Sequence, residues 1–343
     1  MKFTSSVFCV ALLVISTAQA QLDWGSQRSF ARDSRWTISV GAVVNLEGTV
    51  EELTRPYYTA SGQHFKQSLA ESYSLKDFGV DDAYPMFGLG YSKRWDFFAF
   101  KWNLSALMVS SDAVALRDYY LGIGKAIQVN GVPYDHLMIP EGQAFSMDFT
   151  GLMTDLTFSF TPFSLSLGES FRLTPSIDIG LVGIGGFYDI DAGEPQGTTV
   201  YQNPPVDFVV GGQSKSAIGI AAPQIGCGLE MRVGADDALQ WVTSLGVAVF
   251  VYDGRTDLFT SADHRKKNAD ITFLSATAET GLLFPLSEGR AFMVGARVQY
   301  ISFEGDITSA ATSEEEILRD RERFDKRVDF ETVTAMVTIG YCY

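Results

Sequence analysis

Residues 36–47 read WTISVGAVVNLE and alternate apolar with polar or small side chains along their whole length. Successive side chains of a β-strand point to opposite faces, so a period of two predicts a strand with one apolar and one polar face. The predicted apolar face carries Trp36, Ile38, Val40, Ala42, Val44 and Leu46. The rest of the chain repeats this pattern, which predicts an all-β protein.

Nine further stretches alternate in the same way, at residues 87–92, 98–108, 145–160, 171–181, 221–231, 239–251, 274–284, 292–300 and 333–343. The connections near residues 93, 161–170, 233–238 and 285–290 are short, whereas those at 51–85, 111–144, 186–215, 254–268 and 304–327 are long. Short turns at one end and long loops at the other are typical of a transmembrane barrel. We therefore predict a transmembrane antiparallel up-and-down β-barrel with long extracellular loops and short periplasmic turns.

The strand count and one strand irregularity follow from the same pattern. Ten strands are predicted, and the alternative is twelve if Tyr73, Leu75 and Phe78 build an additional membrane-crossing hairpin. Phe145, Met147 and Phe149 are out of phase with the apolar residues that follow them in the strand. A β-bulge near Gly151 would restore the phase.

Aromatic residues give an independent indication of the membrane. Barrels carry aromatic girdles at the bilayer interfaces, so each strand should have an outward aromatic at its short-turn end. Nine of the predicted strands have one: Trp36, Tyr91, Phe98, Phe160, Phe171, Trp241, Phe284, Phe292 and Tyr343. A soluble sandwich would instead turn its polar face outward.

The N-terminus predicts export. Lys2, the apolar run at residues 7–15 and the small-residue site Ala18-Gln19-Ala20 make a secretory signal peptide. The expected organisation is a signal peptide at residues 1–20, a short periplasmic tail at 21–34 and a barrel domain at 35–343.

The chain closes on VTIGYCY, residues 337–343, an alternating stretch that ends on the aromatic Tyr343. This resembles the terminal strand of Gram-negative outer-membrane barrels. The resemblance implies an outer-membrane location, contact with outer-membrane lipid, and recognition of the last strand by the barrel-assembly machinery. Nucleic acid is excluded as a partner because the chain carries 41 acidic against 26 basic residues, whereas phosphate binding needs a basic surface.

Charged residues of both signs fall on the inward face of the predicted strands. Unpaired charges in a narrow lumen are costly, so these side chains are expected to form a salt-bridged, closed interior, with a narrow selective pore as the alternative. The predicted network consists of Lys101, Asp155, Arg172, Asp178, Glu230, Arg232, Glu279 and Arg297. Antiparallel pairing about residue 288 places Glu279 opposite Arg297, which predicts a direct or near-direct ion pair.

The three histidines, His64, His136 and His264, fall in long loops that also carry carboxylates. Histidine beside a carboxylate is a usable general base. Ten strands with such a rim are similar to omptin-type surface proteases, which work from Asp–Asp and Asp–His couples. The rim candidates for such a catalytic site are Asp81, Asp82, Asp135, His136, Asp263 and His264, although sequence-adjacent side chains tend to diverge. No Gly-rich phosphate loop, nucleophile elbow or Cys-rich metal motif is present, so no cofactor or metal is predicted.

Two of the predicted long loops contain motifs that indicate local structure. Ser313 and Glu316 form a capping box that predicts a short helix in the last long loop. Asn130-Gly131 predicts a hairpin turn in the second. The predicted function is a structural or surface-binding barrel, with limited porin-like permeability as a possible addition. The competing hypothesis is a barrel-embedded enzyme that acts on peptides or lipids.

Overall fold

A computed structural model describes residues 20–24, 34–48, 54–58, 64–68, 74–80, 83–95, 97–168, 170–202, 205–235, 238–256, 267–286, 290–309 and 326–343. These residues form eighteen strands and one short 3-10 turn, Leu75–Phe78. The strands are β1 (Ala20–Trp24), β2 (Ser34–Gly48), β3 (Thr54–Tyr58), β4 (His64–Ser68), β5 (Tyr84–Arg94), β6 (Phe98–Val114), β7 (Tyr119–Val129), β8 (Val132–Ile139), β9 (Ala144–Phe160), β10 (Phe163–Leu167), β11 (Phe171–Asp191), β12 (Gly197–Gln202), β13 (Pro205–Val210), β14 (Gln213–Val233), β15 (Gln240–Thr256), β16 (Lys267–Pro285), β17 (Ala291–Ser309) and β18 (Lys326–Cys342).

Ten of the strands close into an antiparallel ring. The order around the ring is β2, β5, β6, β9, β11, β14, β15, β16, β17 and β18, and β18 pairs back onto β2. The predicted fold class and the count of ten are confirmed. The alternative of twelve is wrong, because β3 and β4 form a separate two-stranded sheet and Leu75 and Phe78 lie in the 3-10 turn.

The outer face of the ring is apolar, and the predicted girdle lies at its short-turn end. Ile38, Phe87, Ile225 and Val251 are each more than 60% exposed although they are large and apolar. Girdle residues meet across neighbouring strands, with ring centroids 4.7 Å apart for Trp36 and Tyr91 and 5.5 Å apart for Phe98 and Phe160. Only a bilayer accommodates an apolar belt of this extent around a closed ring. Within the described residues, no helix has the length and hydropathy needed to cross a bilayer.

The structure moves the predicted bulge to another strand. β9 pairs with β6 and β11 in unbroken register, so the bulge predicted near Gly151 is wrong. The register instead shifts in β2, where Asn45 pairs with Val333 and Val43 with Thr334. Val44 is the extra residue, and it turns Leu46 into the barrel, where Leu46 is 1% exposed. The outward placement of Leu46 predicted from alternation is therefore wrong.

Two small elements extend the ring at the short-turn end. The connection predicted at residues 161–170 as a plain turn contains β10, which forms a hairpin with β11. β1 pairs with the other edge of β10, from Ala20 with Leu167 to Trp24 with Phe163. The stretch expected as an N-terminal tail thus includes a strand. Residues 1–19, which carry most of the predicted signal peptide, lie outside the described residues.

At the long-loop end a four-stranded sheet of β7, β8, β12 and β13 stands against the ring. Its β7–β8 hairpin turns at Asn130 and Gly131, with φ of 54° and 80°. Two successive left-handed residues define the type I′ turn, which confirms the predicted hairpin. The helix predicted from Ser313 and Glu316 lies outside the described residues.

Candidate functional site: a lumen divided into two halves

The barrel interior is divided by height into an apolar half and a charged half. Toward the long-loop end, inward side chains are apolar and fully packed, and we call this region the apolar half-lumen. Toward the short-turn end, inward side chains are mainly charged, polar or glycine, beside a small apolar cluster of Val242, Leu283, Ala291, Met293 and Cys342, and we call this region the ionic chamber. The apolar residues that are out of phase in β9 explain the division, because Phe145 and Met147 are buried inside the barrel and not against lipid.

A segment of chain, Ser74–Val80, folds into the apolar half-lumen; we call it the mouth segment. Ser74 and Asp77 form a capping box, in which the Asp77 backbone N–H donates to Ser74 Oγ at 3.3 Å and the Ser74 N–H donates to Asp77 Oδ2 at 3.0 Å. Gly79 ends the turn at φ 74°, a left-handed conformation that favours glycine. The sequence around Leu75 and Phe78 therefore builds a turn that enters the barrel and not a membrane strand.

Phe78 anchors this segment and is fully buried. Its ring lies 5.5 Å from Tyr119 and 5.7 Å from Phe145, and Tyr119 and Phe145 also meet edge to face. Ser111 Oγ donates to the Phe78 carbonyl at 2.8 Å. Because the aromatic cluster joins β7, β9 and the mouth segment, the long-loop end of the lumen is filled by protein.

Glu230 is the centre of the ionic chamber. Its carboxylate accepts two hydrogen bonds from Arg94, at 2.9 and 3.1 Å, and one from Arg232 Nε at 2.9 Å. The bidentate geometry is the strong form of an arginine–carboxylate pair. All three side chains are less than one-fifth exposed, so this cluster is a buried structural ion pair and not a surface one.

Glu279 and Arg297 lie directly opposite each other and face inward, as predicted from the hairpin register. The direct form of the predicted ion pair is wrong, because no nitrogen–oxygen pair of the two described side chains lies within 4.0 Å, although Arg297 still interacts electrostatically with Glu279. Glu279 Oε1 instead pairs with Arg35 Nη2 at 3.0 Å, because Arg35 reaches into the lumen from β2. Arg297 Nη2 lies 3.0 Å from Gln299 Oε1 and 3.9 Å from Asp155 Oδ2.

A polar group of smaller side chains borders Arg297. Asp155 Oδ1 accepts from Thr157 Oγ1 at 2.9 Å and from Gln224 Nε2 at 3.0 Å. The Asp178 and Gln224 side chains face the same space, and each has one buried oxygen to which no described residue donates a hydrogen bond. Of the predicted lumen network, Glu230 pairs with Arg232 and Asp155 with Arg297, and both pairs lie in the short-turn half of the lumen.

Two small adjoining cavities remain inside the chamber. The deeper one, of about 100 Å³, is lined by Lys101, Arg297 and Asp155; the other, of about 70 Å³, reaches the short-turn end beside Arg35 and Arg232. Among the residues that line the two cavities, six are cationic and four anionic. The cations are Arg35, Lys93, Arg94, Lys101, Arg232 and Arg297, and the anions are Asp155, Asp178, Glu230 and Glu279. Arg172 has the inward parity of Thr174 but lines neither cavity.

The rim candidates are only partly described. His136 lies in β8 and is 9% exposed, with its ring 5.4 Å from Phe208 in an edge-to-face contact. Asp135 precedes it in the strand, and its side chain is outside the described set. Asp81, Asp82, Asp263 and His264 also lie outside the described residues, so the protease hypothesis stays a sequence-based prediction. The described residues contain no cluster of three or more histidine, cysteine or acidic side chains able to hold a metal ion.

Comparison with known proteins finds similarity only among solved structures. No family model and no curated protein matches the sequence. The outer-membrane protease OmpT from Escherichia coli superposes with a TM-score of 0.39 at 8% identity, over 90% of this chain and 96% of that one. A mutant of the monoaromatic hydrocarbon channel TodX gives 0.22 at 10% identity, over 91% of each chain. The toluene transporter TodX from P. putida gives 0.18 at 10% identity, over 91% of this chain and 90% of that one. At these scores none of these similarities bears on activity.

Sequence reasoning missed Arg35 and Arg94, which hold the two central carboxylates. Both were within reach of the alternation pattern, because Arg35 has the inward parity of Thr37 and Arg94 that of Ser92. They were left out because each lies at a strand end, where alternation is shortest. Only one feature of the sequence indicated the apolar half-lumen, namely the shifted alternation of Phe145, Met147 and Phe149.

Proposed function

We propose that this chain is an outer-membrane β-barrel with a closed lumen and a structural or surface-binding role. The observation that carries the proposal is the mouth segment, which places Phe78 inside the barrel against Tyr119 and Phe145. An open porin needs a continuous aqueous path, and a dry aromatic cluster across the lumen interrupts it. The four-stranded sheet of β7, β8, β12 and β13 offers the surface that such a barrel would present.

Single-channel recording of the purified protein in planar bilayers tests the closed lumen. We expect no sustained ion conductance, because ions would have to cross the packed apolar half-lumen. A general diffusion porin inserted under the same conditions serves as the positive control, and flotation of proteoliposomes verifies incorporation of the protein. Steady conductance steps from the wild-type chain would refute the proposal and restore the porin-like alternative.

Orientation is tested by cysteine labelling of intact cells. The proposal places the long-loop end outside, so Val132→Cys, at the exposed tip of the β7–β8 hairpin, should react with an impermeant thiol reagent. The matched control is Ala238→Cys at the short-turn end, which should react only after the outer membrane is broken. Wild-type protein measures the background from Cys227, which is exposed in the apolar belt. If Ala238→Cys reacted on intact cells and Val132→Cys reacted only after the outer membrane was broken, the orientation would be the reverse of the proposed one.

A further inference from the structure

We infer that the ionic chamber is a binding site for a small oxyanion of the phosphate or sulfate type, entered from the short-turn end. The inference goes beyond the proposed function and uses only its orientation, in which the short-turn end faces the periplasm. It rests on three cationic side chains of the chamber that have unused hydrogen-bond donors.

Lys101 is the first of these side chains. It lines both cavities and interacts electrostatically with Glu230 and Glu279. Within the described part of the chain, its ammonium group makes no hydrogen bond and has no carboxylate oxygen within 4.0 Å. Glu230 is already held by Arg94 and Arg232, and Glu279 by Arg35. All three donors of the ammonium group are therefore left for a ligand or water.

Arg35, which lines the cavity at the short-turn end, and Arg297, which lines the deeper one, are the other two side chains with unused donors. Arg35 uses Nη2 for Glu279, while Nη1 donates at 3.1 Å only to the thioether of Met293, which is a weak acceptor. Arg297 is nine-tenths buried, and its Nε lies inside the protein without a hydrogen-bond partner among the described residues. A buried donor without an acceptor costs free energy, so an oxygen that reaches Nε would be stabilising.

Charge and size select the ligand class. The linings of the two cavities together have two cations more than anions, and the surplus lies in the cavity at the short-turn end, where five cations face two anions. The chain as a whole carries a net charge of −15. An anion inside this confined space restores neutrality, and charge-assisted hydrogen bonds to arginine and lysine are stronger there than in water. Cavities of about 100 and 70 Å³ suit a compact tetrahedral oxyanion and not a nucleotide or a sugar phosphate. Since the apolar half-lumen closes the other end, the anion enters and leaves beside Arg35 and Arg232.

The test is a phosphate titration of the purified, detergent-solubilised full chain at constant ionic strength in chloride. Phosphorus NMR line broadening reports binding, and the unfolding midpoint of the barrel provides a second readout. We expect saturable broadening and a rise of the midpoint, with sulfate competing. Lys101→Met should weaken phosphate binding at least tenfold, and it should fold because Lys101 forms no salt bridge with any described residue.

Lys76→Met is the matched control, since Lys76 pairs with Glu47 outside the chamber and is half exposed. It should bind phosphate as the wild type does. Absence of saturable binding in the wild type, or equal binding in Lys101→Met, would overturn the inference. A barrel that shows no conductance in planar bilayers and binds no phosphate overturns this inference alone. A barrel that conducts ions overturns the proposed function alone.

Discussion

Replacing Glu230 with glutamine should lower the free energy of unfolding of the barrel by about 3 kcal/mol or more. The substitution keeps the shape of the side chain but removes the charge that Arg94 and Arg232 share. Two neighbouring guanidinium groups would then lose the carboxylate that they share. Urea unfolding of the protein in lipid vesicles, followed by tryptophan fluorescence, measures the loss.

The double variant Glu230→Gln, Arg232→Met separates the ion pair from simple side-chain packing. It should recover part of the loss, because it removes one of the two charges that had shared the Glu230 carboxylate. Glu47→Gln is the control for an exposed pair, since Glu47 and Lys76 are both about half exposed. Its expected cost is under about 1 kcal/mol. Equal losses of unfolding free energy for Glu230→Gln and Glu47→Gln would show that water screens charges in the chamber as strongly as at the surface.

Phe78→Ala should release the mouth segment. Truncation of a fully buried phenylalanine costs about 3–5 kcal/mol. Here that free energy is lost from the docking of one short segment into the barrel. Each 1.4 kcal/mol is a factor of ten, so the undocked population should rise by roughly a hundredfold or more. Trypsin cleavage after Lys76, in folded protein, reports that population.

Leu75→Ala is the matched comparison for Phe78→Ala. Leu75 lies in the same 3-10 turn but is only partly buried, so its truncation should raise the cleavage rate much less. The heat-modified shift of the folded barrel on gels should persist in both variants, because the ring pairing does not include the mouth segment. Equal cleavage of Leu75→Ala, Phe78→Ala and wild type would show that Phe78 does not hold the segment in place.

The ring could be predicted from sequence because a bilayer-facing strand must repeat its outward residues with a period of two. The girdle, the count of ten and the inward parity of Glu279 and Arg297 all follow from that constraint. The choice of partner does not follow from it. Arg35 comes from β2, near the start of the chain, and takes Glu279 because long side chains in a narrow lumen reach across strands that are not neighbours.

The contents of the long-loop half were harder to predict for a different reason. The polar-inside rule assumes water in the lumen, and the mouth segment replaces that water with Phe78. Once the lumen is dry, apolar residues such as Phe145 and Met147 are stable facing inward. In the sequence they then look like outward residues whose alternation has shifted by one position. The bulge prediction near Gly151 was the result.

The division of the lumen also determines where strand registration is encoded during assembly. In the apolar half both faces of a strand tolerate the same side chains, so a shift by one residue costs little there; the extra residue at Val44 lies in that half. In the charged half the same shift would turn Glu230, Glu279 or Arg297 toward hydrocarbon, at about 2–4 kcal/mol for an arginine at mid-depth. The charged side chains of the ionic chamber therefore determine the strand register, because only the correct alignment of each hairpin keeps every charge out of the lipid.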